Sequence, residues 1–171
     1  MTREISSLVT PDDIAIVSQQ LGRPARNVIG IAARCVCGKP TVVSTAPRLD
    51  DGTPFPTFYY LTHPAATAAV SHLEAEQIMV EYNDLLRSDE ECASAYARAH
   101  EQYVSDREAI AVVDEISGIS AGGMPHRVKC LHALVAHSLA AGPGVNPIGD
   151  LAVARLSWSP SECVCQEVNL L

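Results

Sequence analysis

The chain has 171 residues, 47% of them hydrophobic and 19% charged, which is typical of one globular domain and not of a disordered segment. Its formal net charge is −8 and its pI is about 5.1, which argues against nucleic-acid binding because that function needs a basic surface. No apolar run reaches the roughly 18–20 residues of a membrane span, and no signal-peptide core follows Met1. We therefore expect a cytoplasmic protein whose six cysteines stay reduced.

The first third of the chain predicts one helix and then a small antiparallel sheet. Thr10 and Pro11 form a typical helix start, because threonine caps the first turn and proline is preformed for it. Gly22 is a typical helix end. Three later segments, bounded by turn residues and rich in β-branched or aromatic side chains, predict strands: 27–33, 41–45 and 57–61. The segment 35–40 is the predicted turn between the first two strands.

The remainder of the chain predicts helices joined by glycine- and proline-rich connections. Their expected ranges are 65–86 with a break near Glu76, 89–116, 127–141 and 150–156. An irregular tail that contains Trp158 follows and is expected to fold back onto the body. The pattern predicts a single α+β domain over 1–171, with an antiparallel sheet of about three strands packed against several α-helices. Its predicted parts are a helix and sheet over 1–62, a helical part over 63–157 and the tail over 158–171.

The cysteines and histidines are the most distinctive residues, because they occur in short clusters that lie far apart in sequence. Thiolates in a turn between two strands resemble a zinc knuckle, although C-x-x-C is the commoner spacing. A cysteine and a histidine seven residues apart share one helix face. Each cluster also suits an ordinary buried position, so metal binding and simple burial are alternatives, and Cys92 is expected to be structural. The clusters are Cys35 with Cys37, Cys130 with His132 and His137, and Cys163 with Cys165.

A polar stripe on the longest predicted helix suggests a second kind of site. Its residues are spaced by four, three and four positions, which places them on one helix face. An arginine on such a face can bind a carboxylate or phosphate at two points. Alternatively, the tyrosines cover the sheet while the charged groups reach solvent. The stripe consists of Tyr96, His100, Tyr103 and Arg107, and the cations that would complete a small-anion pocket with it are Arg48, Arg127 and Lys129.

Nearly the whole chain resembles an actinobacterial family known as domain of unknown function 501 (DUF501). The segments that carry the resemblance include Arg34-Cys35, 47–57, 59–62, 71–75, 127–132, Ala136-His137 and 146–149. The resemblance implies no particular reaction. It implies cysteines at four positions, at one of which this chain has His63 instead. Histidine and cysteine both bind zinc, and histidine can also replace cysteine on iron, so this exchange suits a ligand position.

The resemblance implies that one metal centre gathers residues from four separate elements. Its expected ligands are Cys35, His63, Cys130 and Cys163, with Cys37, Cys165 and His137 as reserves. The cofactor would be zinc or an iron–sulfur cluster, beside a basic pocket that takes a small anion, and a protein partner is a further possibility. The alternative is an enzyme that acts on a small phosphorylated or carboxylated substrate. In that case His100 or His132 would move protons, because the pKa of histidine lies near neutral pH, and the cysteines would be structural.

Overall fold

The described part of the chain, residues 7–165 of a computed structural model, begins with helix α1 over Pro11–Leu21. The hydroxyl of Thr10 accepts the Asp13 N–H at 3.2 Å, and the Asp13 carboxylate accepts the Thr10 N–H at 3.0 Å. This reciprocal pair satisfies two amides that the first turn leaves without helical partners. Gly22 ends the helix in the left-handed conformation, as the sequence predicts.

Three strands follow in the antiparallel order β1-β2-β3: β1 over Val28–Arg34, β2 over Pro40–Thr45 and β3 over Tyr59–Leu61. The central strand, β2, is buried along its whole length. Successive side chains of a strand point to opposite faces. Accordingly, Val43 packs with Val17 of α1, while Val42 packs in the main core with the later helices. The sheet is thus covered on both faces, and the predicted α+β class and three-stranded sheet are confirmed.

The later helices form the larger layer of the domain. They are α2 over Pro64–Ala75, α3 over Ile78–Ser88, α4 over Glu90–Glu108, α5 over Leu131–Ala141 and α6 over Pro147–Arg155, with a short 3₁₀ turn over Asp114–Ile116. Helix α5 lies at the centre of the main core and buries most of its side chains. A Cβ atom at Gly149 would lie 2.4 Å from the Leu134 carbonyl oxygen, so only glycine lets α6 approach α5 this closely.

Three predicted helix boundaries differ from the structure. The helix expected over 89–116 ends at Glu108, because the chain turns back to bring the Ile116 carbonyl to the Arg107 guanidinium. The helix expected from 127 begins at Leu131, because the Gly122 carbonyl accepts the Lys129 N–H at 2.7 Å and holds the preceding residues in a loop. The last helix begins at Pro147 and not at 150, since Asn146 caps it.

The tail lies against the start of α2 and the β1–β2 turn. Trp158 is buried, and its ring centre is 5.3 Å from that of His63. The Pro160 carbonyl accepts the Val36 N–H at 2.9 Å, which joins the tail to the turn. Residues 1–6 and 166–171 of the predicted domain lie outside the described range. Within 7–165, no helix combines the length and the apolar character needed to cross a membrane.

Candidate metal centre

The turn between β1 and β2 places two cysteines close together. The Cys35 N–H donates to the Lys39 carbonyl at 2.9 Å, and the Gly38 N–H donates to the Cys35 carbonyl at 2.8 Å. Gly38 has φ +90°, a backbone conformation that residues other than glycine rarely adopt. The tight turn therefore depends on a glycine at this position. The result is one buried thiol, Cys35, and one exposed thiol, Cys37.

The tail brings two further cysteines to this turn. The Sγ atoms of Cys35, Cys37, Cys163 and Cys165 all lie within 4.8 Å of one another, and those of Cys37 and Cys165 are 3.5 Å apart. Four thiolates at about 2.3 Å from one tetrahedral ion would lie about 3.8 Å from each other. The four sulfurs therefore form a group that could hold a metal ion.

The environments of these thiols differ, and so do their pKa values. A hydrogen bond from the Lys39 backbone lowers the pKa of Cys37 to about 7, against the opposing effect of burial and with help from the neighbouring sulfurs. Burial raises the pKa of both Cys35 and Cys165. Near neutral pH Cys37 thus becomes a thiolate more readily than Cys35 or Cys165, and a metal that bound these two would displace their protons.

His63 lies beside the four sulfurs and has a defined tautomer. Its Nδ1 accepts the Ala66 N–H at 3.4 Å, which caps α2, and its Nε2 lies 3.1 Å from the Sγ of Cys165. Burial lowers the pKa of His63, which favours the neutral ring with a single proton. Because Nδ1 acts as an acceptor, the hydrogen-bond network assigns that proton to Nε2, from which it is donated to the sulfur.

The structure brings together only part of the ligand set expected from the sequence. Cys35 and Cys163 meet in the four-sulfur group, and His63 lies at its edge. Cys130 lies instead at the start of α5, in a separate group with Glu74 and His132. The physical reason is the length of α2: its 12 residues extend about 18 Å, with His63 before its first turn and Glu74 near its end.

The reserve residues divide between the centre and the core. Cys37 and Cys165 complete the four-sulfur group. His137 is fully buried in α5, where its Nδ1 accepts the Asn146 side-chain amide at 3.1 Å and its ring stacks at 5.8 Å from that of Tyr59. The sequence does carry a signal for these four cysteines. They occur as two C-x-C motifs, and each motif can supply two ligands to one metal ion.

The stripe on α4 does not form an open anion cleft. Arg107 is 1% exposed, and its guanidinium donates to three backbone carbonyls, those of Pro56, Ile116 and Ile119. The Tyr103 hydroxyl accepts the Phe58 N–H at 2.7 Å, so this side chain is also hydrogen-bonded to the backbone. Tyr103 and Arg107 thus belong to a core face of α4 that holds neighbouring loops to the helix.

The other residues of the predicted pocket lie apart or have internal partners. The Tyr96 hydroxyl donates to the Arg127 carbonyl at 3.0 Å, and His100 Nδ1 lies 2.8 Å from the Ser120 hydroxyl. The remaining cations are placed as follows: Arg48 pairs with Glu115 at 2.7 Å, and the side chains of Arg127 and Lys129 are exposed. A cavity of about 200 Å³ is lined by Cys165 of the four-sulfur group, and the basic side chains among its described lining residues are Lys39 and His63.

Comparison with known proteins identifies a family. The family model described as "Protein of unknown function (DUF501)" matches residues 31–154, a range that includes Cys35, Cys37 and Cys130 and ends before the tail cysteines. Searches of curated proteins and of solved structures found no match.

Proposed function

This chain belongs to the DUF501 family, whose model spans more than half of it, and we propose that it is a metalloprotein with one zinc ion. The ligands in this proposal are Cys35, Cys37, Cys163 and Cys165. The observation that carries it is the approach of four thiol sulfurs from two distant segments to within 4.8 Å of one another. Four thiolates this close would repel one another unless a cation lay between them, so a bound metal ion is what allows all four to ionise together.

The spacing of the sulfurs favours a single ion over an iron–sulfur cluster. In a cluster with four irons each thiolate binds a different iron, so the sulfurs lie farther apart than thiolates that share one ion. Separations within 4.8 Å, with one of 3.5 Å, are close to the value of about 3.8 Å expected for one tetrahedral zinc. Of the two cofactors that the sequence suggests, zinc therefore fits the donor geometry better.

A site with four protein ligands has no open position, so its role in this proposal is structural and not catalytic. The metal fastens the tail to the β1–β2 turn, and its binding energy contributes to folding. The Lys39 backbone and the His63 ring donate hydrogen bonds to the sulfurs and so offset the negative charge of four thiolates. We place the protein in the cytoplasm, where thiols stay reduced.

The proposal does not extend to a small-anion pocket or to an enzyme built on one. The guanidinium of Arg107 already donates to three carbonyls, and Arg48 already has a carboxylate partner. These contacts satisfy two of the cations that such a pocket would require.

Metal analysis of protein purified without oxygen tests the proposal. We expect one zinc per chain in the wild type and in the control Cys92→Ser, because Cys92 lies on α4, outside the four-sulfur group. Cys37→Ser and Cys163→Ser should each retain less than half of that zinc, since three thiolates hold the ion more weakly. Several irons per chain with acid-labile sulfide, or a wild type that contains no metal, would refute the zinc proposal.

A further inference from the structure

A second group of reactive side chains lies where α5 begins. Cys130 is the N-cap residue of α5, His132 belongs to its first turn, and Glu74 lies near the end of α2. The thiol, one ring nitrogen and one carboxylate oxygen all lie within 4.8 Å of one another, and all three residues are partly exposed. The proposed metal centre uses none of them.

Glu74 orients this group. Its Oε1 accepts the Leu131 N–H at 2.8 Å and lies 3.3 Å from His132 Nδ1. The carboxylate therefore caps the positive end of α5 and fixes the imidazole ring at the same time.

His132 faces hydrogen-bond acceptors on both sides of its ring. Nδ1 faces the carboxylate, and Nε2 lies 3.3 Å from the Thr67 carbonyl and 3.2 Å from the Ser71 hydroxyl. The Ser71 hydroxyl donates its own proton to the Thr67 carbonyl at 3.0 Å, so it too acts as an acceptor toward the ring. Both ring nitrogens can donate only when the ring is doubly protonated, so this arrangement favours the imidazolium. In agreement, the hydrogen bond with Cys130 raises the pKa of His132.

Cys130 lies next to that cation and at a helix N-terminus, both of which stabilise a thiolate. The hydrogen bond with His132 lowers the pKa of Cys130, and the Ala133 N–H acts in the same direction. Burial and the charge of Glu74 oppose the shift without reversing it. The charged groups that act on the thiol are thus one imidazolium from α5 and one carboxylate from α2.

We propose that Cys130 is a nucleophilic thiolate, paired with the His132 imidazolium, that undergoes exchange with small disulfides. The Cys130 sulfur attacks one sulfur of the disulfide R–S–S–R, so that a bond from Cys130 to that sulfur forms as the original S–S bond breaks. The departing R–S⁻ takes a proton from His132 or from water. Cys130 is oxidised and one half of the disulfide is reduced, so no further oxidant is needed. A small reagent is required because the thiol is only partly exposed.

The chain offers a matched control for this proposal. Cys92 also lies in the first turn of a helix and is also partly exposed, but its charged neighbour is Asp89. Burial and that carboxylate both raise the pKa of Cys92. Both thiols therefore lie at helix N-termini beside a carboxylate, and Cys130 has in addition the His132 ring beside it.

The test is to treat the full-length, metal-loaded protein with 4,4′-dithiodipyridine near neutral pH and follow each cysteine by peptide mass spectrometry. We expect Cys130 to react about tenfold faster than Cys92, because a larger fraction of it is thiolate. The variant His132→Gln should slow the reaction of Cys130 about tenfold and leave that of Cys92 unchanged. Equal rates for the two thiols in the wild type would overturn the proposal without recourse to any variant.

Two further readouts keep the proposal testable if His132→Gln fails to fold. In the wild type, the pH at which the reaction rate of Cys130 is half maximal should be lower than the corresponding pH for Cys92. A midpoint pH for Cys130 equal to or above that of Cys92 would overturn the proposal. Protection of Cys130 by a second equivalent of zinc, lost in Glu74→Gln, would instead make this group a metal site and also overturn it. Neither result depends on the four-sulfur centre, whose zinc content is measured separately.

Discussion

The buried guanidinium of Arg107 joins α4 to two other segments of the chain. It donates to the carbonyls of Pro56, Ile116 and Ile119, which lie in the loop before β3 and in the segment after α4. From sequence alone, the stripe that ends at this arginine suits either a ligand cleft or a core face. The structure favours the core face, because a guanidinium that is 1% exposed and donates to three backbone carbonyls is closed off from an anion in solution.

Replacing Arg107 should therefore cost stability. We expect Arg107→Ala to lower the free energy of unfolding by about 3 kcal/mol, since three buried carbonyls lose their donor. The control Arg98→Ala changes an exposed arginine of the same helix and should change the free energy of unfolding by less than about 0.5 kcal/mol. Urea denaturation of the three proteins measures both values. Similar small losses in both variants, or stabilisation of the wild type by phosphate that Arg107→Ala abolishes, would contradict this role.

At the scale of elements, helix α1 and the three strands are predictable because their signals are local. The capping residue, the proline and the terminal glycine of α1 all lie within the helix or next to it. The start of α5 is different, because it depends on the carbonyl of Gly122, and the end of α4 depends on loop carbonyls that reach Arg107. Partners that are distant in sequence set those boundaries, and no periodicity encodes them.

The pairing of α1 with β1 predicts a specific dependence of stability on pH. The hydrogen bond from Arg34 lowers the pKa of the buried Asp13 to about 2, from an ordinary value of 3.8. A group with a lowered folded pKa stabilises the fold above its unfolded pKa and loses that effect as pH falls toward its folded value. The stabilisation by Asp13 is thus complete above about pH 4 and is lost between about pH 4 and pH 2.

The variant Asp13→Asn tests this dependence. It should be about 2 kcal/mol less stable than the wild type near neutral pH, and this difference should shrink toward zero near pH 2. The control is Asp12→Asn, which removes an exposed carboxylate from the same helix turn. Arg34 pairs with Asp13 and not with Asp12. Urea unfolding across this pH range measures all three proteins. A difference between wild type and Asp13→Asn that does not change with pH would show that the ion pair is not its cause.

At the scale of the whole molecule, the sequence predicts the residue types of the candidate metal centre better than their convergence. Cysteines in the β1–β2 turn and in the tail are expected ligands or reserves, and the structure brings them together. Cys130 was expected with them but lies near the far end of α2. What separates these outcomes is the docking of the tail, through Trp158 beside His63 and the Val36–Pro160 hydrogen bond. These two contacts join residues 95 and 124 positions apart in sequence (158 − 63 and 160 − 36), beyond the reach of local patterns.

In the proposed centre, one zinc ion joins the β1–β2 turn to the tail through four thiolates. X-ray absorption at the zinc edge of the purified protein tests it most directly, because it counts and identifies the nearest scatterers. We expect four sulfur atoms at about 2.3 Å from the zinc and no nitrogen, because the His63 ring would contact a sulfur and not the metal. Sulfur and nitrogen together at the zinc would make a histidine a ligand, and that result, fewer than four sulfurs or a neighbouring metal would each contradict a zinc ion bound by four thiolates.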